Sequence, residues 1–217
     1  MTMLVENFTM TQLGRFERRT GNYITLYAIG NPAQFDEGAL RAFLSLPNAE
    51  ARAASLTVNP SLIWQSDTSL AGWSVNGDVA LEPLDRDRPS GVLVRNNDPF
   101  GGIRQVIEVN SLQRSTVTAI VTIEGIGPEP AQSAVIALSR EGAAPFSQIF
   151  VPLIPGDNLV ILEAQLPADT GMLRITVATG KDDNGDLAIQ HAYLIPETID
   201  QIIQALESQT VQNSGGS

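Results

Sequence analysis

The sequence contains a single histidine, His191, which is its most obvious candidate for acid–base chemistry. A Ser-His-Asp triad would also need an activated serine, and no Gly-x-Ser-x-Gly turn occurs in the chain. A zinc site built from several histidines is impossible, and the absence of cysteine excludes disulfides and thiolate ligands. No Gly-x-x-x-x-Gly-Lys-Ser loop for phosphate binding is present. We therefore predict that the protein is not an enzyme, and that His191 is a tolerated polar residue on a strand face.

Asp182, Asp183 and Asp186 stand close together in the segment Asp-Asp-Asn-Gly-Asp. Clustered carboxylate oxygens suit calcium, the one ion that this sequence suggests as a cofactor. The spacing differs from that of an EF-hand loop, in which glycine is the sixth residue. Asn-Gly between two strands is also the favoured two-residue turn of a β-hairpin. The sequence therefore favours a plain hairpin and leaves a calcium site at these three residues as the alternative.

Trp64, Trp73 and Phe100 are candidate glycan-binding residues, because aromatic faces stack on the apolar surfaces of sugars. Only 6% of the residues are aromatic, however, and a β-sandwich needs large side chains in its core. Burial is the preferred interpretation for Trp73, which opens a strand after Gly72. Acidic residues are numerous, but no spacing singles out a pair suited to glycoside hydrolysis. Exposure of the three aromatic residues in one groove would favour glycan binding, and their burial would favour a structural role.

The composition is that of an acidic, globular chain. It has 217 residues, of which 43% are hydrophobic, a net charge of −11 and a pI near 4.4. This charge argues against nucleic-acid binding through phosphates. No apolar run approaches the length of a membrane helix, about 18 residues, and the first residues lack the pattern of a secretion signal. We expect a soluble protein without membrane insertion.

An alternation of apolar and polar residues begins near Leu62 and predicts strands. In the segment 116–124, one face carries Val117, Ala119, Val121 and Ile123. Three later segments repeat the alternation: Val160, Leu162, Ala164 and Leu166; Leu173, Ile175 and Val177; Ile189, His191 and Tyr193. Turns rich in glycine, proline, asparagine and aspartate separate these segments. Short strands at this spacing predict an antiparallel sandwich or barrel.

The two ends of the chain differ from this pattern. Residues 1–57 form an annex with a polar arm over 1–21, a predicted strand over 23–29 and two short predicted helices up to residue 54. Residues 197–217 contain an amphipathic helix and a polar tail. Because neither end can bury its apolar side chains alone, we predict that both contact neighbouring subunits. The alternative for the arm is that it folds back on its own sandwich as an edge strand. The predicted assembly contacts are Phe8, Phe16, Ile199, Ile202, Ile203 and Leu206.

The segments 70–81, 91–95 and 102–109 resemble the opening strands of galactose-binding-like jelly rolls. The similarity consists of a Gly-Trp turn, the strand that follows it, and a glutamine near the start of the next long strand. The last strand, which ends Ala-Tyr-Leu-Ile at residue 195, resembles the closing strand of the same fold. The resemblance covers residues 60–196. It implies a carbohydrate-binding-module-type jelly roll, of a kind that also occurs in phage virion proteins.

These patterns together predict a mainly β protein. An antiparallel jelly-roll β-sandwich would span 58–196, with the strand/helix annex over 1–57 and the amphipathic helix and tail over 197–217. We interpret the chain as a non-catalytic structural or attachment module of a larger assembly, and the favoured setting is a bacteriophage virion (tail, fibre, baseplate or head decoration). Its partners would be other subunits of that assembly, including copies of itself. The alternative is a carbohydrate-binding module that recognises a surface glycan.

Overall fold

The computed structural model describes the backbone of residues 2–5, 8–19 and 22–29, together with residues 55–66, 69–84, 90–96, 98–109, 112, 115–198 and 201. The strands in these ranges are β1 (Thr2–Val5), β2 (Phe8–Arg19), β3 (Asn22–Ile29), β4 (Trp64–Ser66), β5 (Ser69–Leu70), β6 (Ser74–Asn76), β7 (Val79–Pro83), β8 (Val92–Asn96), β9 (Gly102–Glu108), β10 (Thr116–Gly125), β11 (Ser133–Arg140), β12 (Pro145–Pro152), β13 (Asp157–Gln165), β14 (Met172–Thr179) and β15 (Leu187–Ile195). An eight-stranded sheet has the order β1-β2-β3-β13-β10-β15-β8-β7, and a five-stranded sheet has the order β12-β11-β14-β9-β6. The short strands β4 and β5 form a separate hairpin.

The core lies between the two large sheets, and apolar side chains from both of them fill it. On β10 the predicted inward face is correct, since Val117, Ala119, Val121 and Ile123 all belong to the core. The predicted inward residues of β13 and β14 are also there: Val160, Leu162, Ala164, Leu173, Ile175 and Val177. Burial of each large aliphatic side chain contributes about 1.5–3 kcal/mol. The predicted fold class, an antiparallel β-sandwich, is confirmed.

β15 departs from the predicted alternation. Its register against β10 shifts by one residue at Gln190, which forms a β-bulge. As a result Ile189 points into the core, whereas His191 and Tyr193 lie on the outer face, the face turned away from the other sheet. The prediction that these three residues share one face is wrong, because a single inserted residue inverts a period of two.

The N-terminal strands extend the eight-stranded sheet along the edge of β13. β3 matches the strand predicted over 23–29. It runs parallel to β13, with pairs from Asp157↔Ile24 to Ile161↔Ala28. All other pairings within the two sheets are antiparallel, so β3 is attached in a different way from the strands of the sandwich itself.

The structure corresponds to the edge-strand alternative for the arm predicted over 1–21. Residues of this range form β1 and β2, which continue the sheet beyond β3, and both Phe8 and Phe16 lie on β2. Strand pairing satisfies the backbone N–H and C=O groups that an irregular arm would leave to water. The two helices predicted up to residue 54 lie outside the described residues.

Thr198 and Gln201 form a capping box where the sequence predicts the start of the C-terminal helix. Thr198 Oγ1 accepts the N–H of Gln201 at 3.2 Å, and Gln201 Oε1 accepts the N–H of Thr198 at 2.9 Å. This reciprocal pair satisfies two donors that the first turn of a helix leaves open. Its predicted apolar contacts, Ile199, Ile202, Ile203 and Leu206, lie outside the described residues. In the part of the chain that is described, no helix has the length and apolar character needed to cross a membrane.

Polar side chains from the core fasten the segment 55–62 to the sandwich. Gln105, only 3% exposed, accepts the N–H of Val58 at 2.7 Å and donates to the carbonyl oxygen of Val58 at 3.0 Å. The indole N–H of Trp73 donates to two carbonyl oxygens of the same segment, at 3.1 and 3.2 Å. Glycine is required at position 72, beside these hydrogen bonds, because its φ is +78° and an added Cβ would lie 2.8 Å from Nε2 of Gln105. Gln105 and Trp73 are therefore structural residues.

Candidate ligand site at the loop end

Five connections between strands meet at one end of the sandwich, which we call the loop end. They comprise residues 77–78, 98–101, 126–132, 153–156 and 180–186. The strands that enter and leave this end alternate in direction, so the five connections emerge on the same side. Loops held by a rigid scaffold are frequent positions for binding residues. The loop end is therefore the candidate region for a ligand.

Asp183 is the centre of a hydrogen-bond network that joins two of these loops. Its side chain is charged, yet the residue is only 9% exposed. Its Oδ2 accepts the N–H groups of Gln132 and Ser133, both at 2.6 Å, and the hydroxyl of Ser133 at 3.1 Å. Its Oδ1 accepts the N–H of Gly185 at 3.0 Å. These donors compensate the burial of the carboxylate and hold the 180–186 loop against the start of β11.

The hairpin predicted at Asn184 and Gly185 is not formed. The flanking strands, β14 and β15, belong to different sheets. The loop between them therefore crosses from the five-stranded sheet to the eight-stranded sheet. Local turn chemistry cannot separate these two cases, because the choice depends on which strands pair elsewhere in the chain.

Asp186 is paired with a cation. Its carboxylate lies 2.5 Å from Nη1 of Arg95, and Nε of Arg95 lies 3.5 Å from Glu82. The hydrogen bond to Asp186 raises the pKa of Arg95 above its ordinary value. Among the residues described, no group of three or more histidine, aspartate or glutamate side chains converges as metal ligands would. The calcium alternative at Asp182, Asp183 and Asp186 therefore has no shared ligand set in this arrangement.

A cleft of about 390 Å³ opens at the loop end. Its lining comes from the end of β10, the following loop and the loop that precedes β13: Glu124, Gly125, Ile126, Gly127, Pro130, Ala131, Gln132, Leu153, Ile154 and Pro155. Pockets for small molecules and short ligand segments have volumes of about 300–1,000 Å³. The cleft is thus large enough to hold a compact ligand group.

Glu124 is the one ionisable residue in the lining of this cleft. Burial raises the pKa of its carboxyl group, and the neighbouring carboxylate of Asp157 raises it further, against the opposing effect of a hydrogen bond from the N–H of Gly156. The register of β10 against β13 places Glu124 directly beside Asp157. Asp157 in turn accepts a hydrogen bond from Nε2 of Gln190. The two carboxylates therefore form an adjacent pair at the edge of the cleft.

The three aromatic residues predicted for glycan binding do not form one platform. Trp73 is 8% exposed and belongs to the core, as expected. Trp64 is partly buried against the core, and its indole N–H donates to the carbonyl oxygen of Gly91 at 3.0 Å. Phe100 is exposed, at 39%. The two tryptophans pack against the core, and Phe100 is the most exposed of the three.

Phe100 combines two unfavourable features on the loop end. Its large apolar side chain is exposed, and its φ of 62° lies in the left-handed region that bulky residues avoid. Its ring packs edge to face on Phe150 with a centroid distance of 6.4 Å. Its carbonyl oxygen accepts Nδ2 of Asn76 at 2.7 Å, so the loop is fixed in this conformation. Backbone strain held by surrounding contacts is typical of functional positions.

Glu124 and Asp157 were not predicted as site residues. Strand register brings the two carboxylates together, and sheet packing brings Phe150 to Phe100. Neither relation is visible in sequence spacing. The available signal was position: both carboxylates stand at strand ends beside turns rich in glycine and proline.

Comparisons with known proteins bear on the fold. No family model matches the chain, and no curated protein matches it. The chain is similar to the enzymatically active domain of tailspike protein 4 of bacteriophage CBA120, with a TM-score of 0.45 and 13% identity over 65% of this chain and 21% of that one. It therefore spans about a fifth of the tailspike domain's length.

Two carbohydrate-binding modules are similar over nearly their whole length. TmCBM61, solved in complex with β-1,4-galactotriose, has a TM-score of 0.46 and 17% identity over 66% of this chain and 99% of that one. A module of the CBM4 type has a TM-score of 0.49 and 13% identity over 65% of this chain and 99% of that one. At this identity both similarities concern the fold alone.

Proposed function

We propose that this protein is a non-catalytic glycan-binding module that uses the loop end to attach to its target. The observation that carries the proposal is the cleft of about 390 Å³ on cross-linked loops. A sugar hydroxyl group can donate to the carboxylate of Glu124 or to main-chain carbonyl oxygens of the lining. Phe100 offers an exposed aromatic edge on the same end of the sandwich.

The absence of catalysis is part of this proposal. Hydrolysis of a glycosidic bond needs two carboxyl groups that flank the scissile bond. Glu124 and Asp157 instead stand side by side on neighbouring strands, and Asp157 already accepts a hydrogen bond from Gln190. His191 lies on β15 outside the lining of the cleft. Incubation with glycans that bind should therefore release no product, and turnover abolished by Glu124→Gln would contradict the proposal.

A binding experiment tests the site. A glycan array with the full chain would find a ligand, and titration calorimetry would compare Glu124→Gln and Phe100→Ala with the wild type. We expect both substitutions to weaken binding. Glu141→Gln and Met172→Ala are matched controls, because both residues are exposed at the opposite end of the sandwich. Wild-type affinity in Glu124→Gln and Phe100→Ala would refute the proposed site. Loss of binding in the two control variants would refute it as well.

The finer setting that we propose is a bacteriophage particle, in which the module is a subunit of a larger, homo-oligomeric assembly. The support is the attachment of β1–β3 along one sheet edge through a parallel pairing of five residue pairs. Addition of strands to a sheet edge is also the way in which separate chains join. Native mass spectrometry of the full chain, and of a variant lacking residues 197–217, tests this setting. A monomer in both cases, at all concentrations, would contradict self-association.

A further inference from the structure

We propose that the loop-end cleft selects ligands by charge: it prefers glycans that carry free amino groups, accepts neutral glycans and excludes those that carry carboxylates. This inference rests on the proposed function and adds the chemical class of the ligand. It follows from an inventory of the donors and acceptors that the cleft presents.

The cleft is poor in hydrogen-bond donors. Five main-chain N–H groups of its lining already donate hydrogen bonds within the protein. Those of Ile126 and Ala131 donate to the carbonyl oxygen of Asp186, and that of Gln132 donates to the carboxylate of Asp183. The N–H of Leu153 donates to the carbonyl oxygen of Gln132, and that of Ile154 donates to Oδ1 of Asn158. Pro130 and Pro155 have no N–H group at all. A ligand anion would find few of the donors that anion sites require.

The same lining is rich in acceptors. Each main-chain carbonyl oxygen has two lone pairs, so it can accept a second bond even when one is used. The carboxylate of Glu124 adds acceptor capacity and negative charge at the edge of the cleft. A ligand that brings donors, such as hydroxyl or ammonium groups, is therefore complementary to this surface.

The adjacent carboxylates favour a cation over a neutral donor. Like charges on Glu124 and Asp157 repel each other, and the raised pKa of Glu124 reflects this in part. An ammonium group placed against Glu124 would offset that repulsion, because an opposite charge stabilises the ionised form. A neutral hydroxyl would gain a hydrogen bond without this additional effect.

The charges around the cleft act in the same direction. The described residues of the loop end and its immediate strand ends carry eight acidic side chains: Asp78, Asp98, Glu124, Glu129, Asp157, Asp182, Asp183 and Asp186. The basic side chains in this set are Arg95, which is paired with Asp186, and Lys181. Such a field attracts cations and repels anions within about 10 Å at ordinary ionic strength.

Three hexasaccharides of matched length test the order of preference in titration calorimetry with the full chain: the hexamer of glucosamine, the hexamer of N-acetylglucosamine and the hexamer of galacturonic acid. The pH is held above the raised pKa of Glu124, so that its carboxylate is ionised, and below the pKa of the amino groups, so that they are protonated. We expect the glucosamine hexamer to bind about tenfold more tightly than its acetylated form, a difference typical of one well-placed charge pair. The galacturonic acid hexamer should show no binding.

Substitutions separate the cleft from the general acidity of the chain. Glu124→Gln should remove most of the preference for the amino form, whereas Glu141→Gln at the opposite end, which removes the same charge, should leave it unchanged. Equal binding of the amino and acetylated hexamers, binding of the galacturonic acid hexamer, or equal effects of the two substitutions would overturn the inference while leaving glycan binding intact.

A final arm separates the inference from the proposed function. If no hexasaccharide binds, spermidine and citrate are titrated in turn and followed by backbone amide NMR shifts. Saturable shifts confined to residues 124–132 and 153–157 with spermidine alone, and absent in Glu124→Gln, would support the charge selectivity while the glycan function fails. No localised shifts with spermidine would overturn the charge selectivity, whereas the glycan array decides the proposed function separately.

Discussion

The carboxylate of Asp183 receives both the main-chain N–H and the side-chain hydroxyl of Ser133, at 2.6 and 3.1 Å. Ser133 is the first residue of β11, and Asp183 lies in the loop that crosses between the sheets. One side chain thereby fixes where the crossing loop meets the five-stranded sheet. The shape of the loop end depends on this contact.

Replacement of Asp183 by alanine should lower the free energy of unfolding by about 2–4 kcal/mol, because it leaves the N–H groups of Gln132 and Ser133 without their acceptor. Asp182→Ala is the matched control, since Asp182 is exposed and its loss should change stability by less than about 0.5 kcal/mol. Urea denaturation of the three proteins measures both values. Similar stability of the two variants would show that Asp183 does not hold the loop.

Calcium should not stabilise the protein through the 180–186 loop. Asp183 is satisfied by protein donors and Asp186 is paired with Arg95, so a bound ion would have to displace both sets of contacts. Thermal unfolding in millimolar calcium and in excess chelator should give the same melting temperature. A calcium-dependent rise that disappears in Asp182→Ala would instead establish a metal site.

Gln105→Leu should destabilise the sandwich by about 1–3 kcal/mol, although it introduces an apolar residue into the core, because the main-chain N–H of Val58 loses its acceptor. The carbonyl oxygen of Val58 loses one of its two donors and keeps the indole N–H of Trp73. Gln148→Leu, on the half-buried outer side of β12, is the control with the same chemical change. Amide hydrogen exchange should also show faster exchange in the segment 55–62. Unchanged exchange there would mean that Trp73 alone is sufficient to hold the segment.

Glu124→Gln should stabilise the protein at neutral pH and have little effect in acid. The pKa of Glu124 is raised in the folded state, so its ionised form is disfavoured by folding whenever the pH exceeds that pKa. Below its ordinary value of 4.5 the carboxyl group is protonated in both states, and the difference from glutamine vanishes. Melting temperatures of the wild type and the variant, measured from below pH 4.5 to neutral pH, test whether the substitution stabilises the protein. Glu141→Gln is the control. A variant less stable than the wild type at neutral pH would contradict it.

Phe100→Gly should leave the free energy of unfolding nearly unchanged or raise it, since glycine adopts a φ of 62° without strain. The loss of the ring contact with Phe150 opposes this gain. Glycan binding should nevertheless weaken, and the comparison with Phe100→Ala separates the two effects, because alanine keeps the strain and loses the ring. Wild-type affinity in both variants would remove Phe100 from the site.

The sandwich was predictable because its strands carry strong local patterns. Val117, Ala119, Val121 and Ile123 alternate with polar residues, and a period of two is sufficient to assign them to a buried face. The prediction that His191 shares a face with Ile189 is wrong, because the β-bulge depends on the pairing with β10 and leaves no local pattern in the sequence.

The candidate site was less predictable than the fold. The expected burial of Trp73 is confirmed. The cleft, however, depends on which loops emerge beside each other, and this follows from the pairing of strands distant in sequence. Glu124 and Asp157 meet only because β10 and β13 are neighbours. Proximity in sequence, as at the three aspartates, does not by itself make oxygen atoms converge on an ion.

The crossing loop carries Lys181, the only lysine of the chain, on its exposed side. Its ε-amine is therefore the one lysine amine available for coupling, and it lies on the face that carries the cleft. A fluorophore coupled there would lie beside an arriving ligand and report its binding directly. Immobilisation on a sensor surface through the same amine would turn that face toward the support, so a weak signal in such an assay would reflect orientation. Coupling through a cysteine introduced in the 141–144 turn would present the loop end to solution.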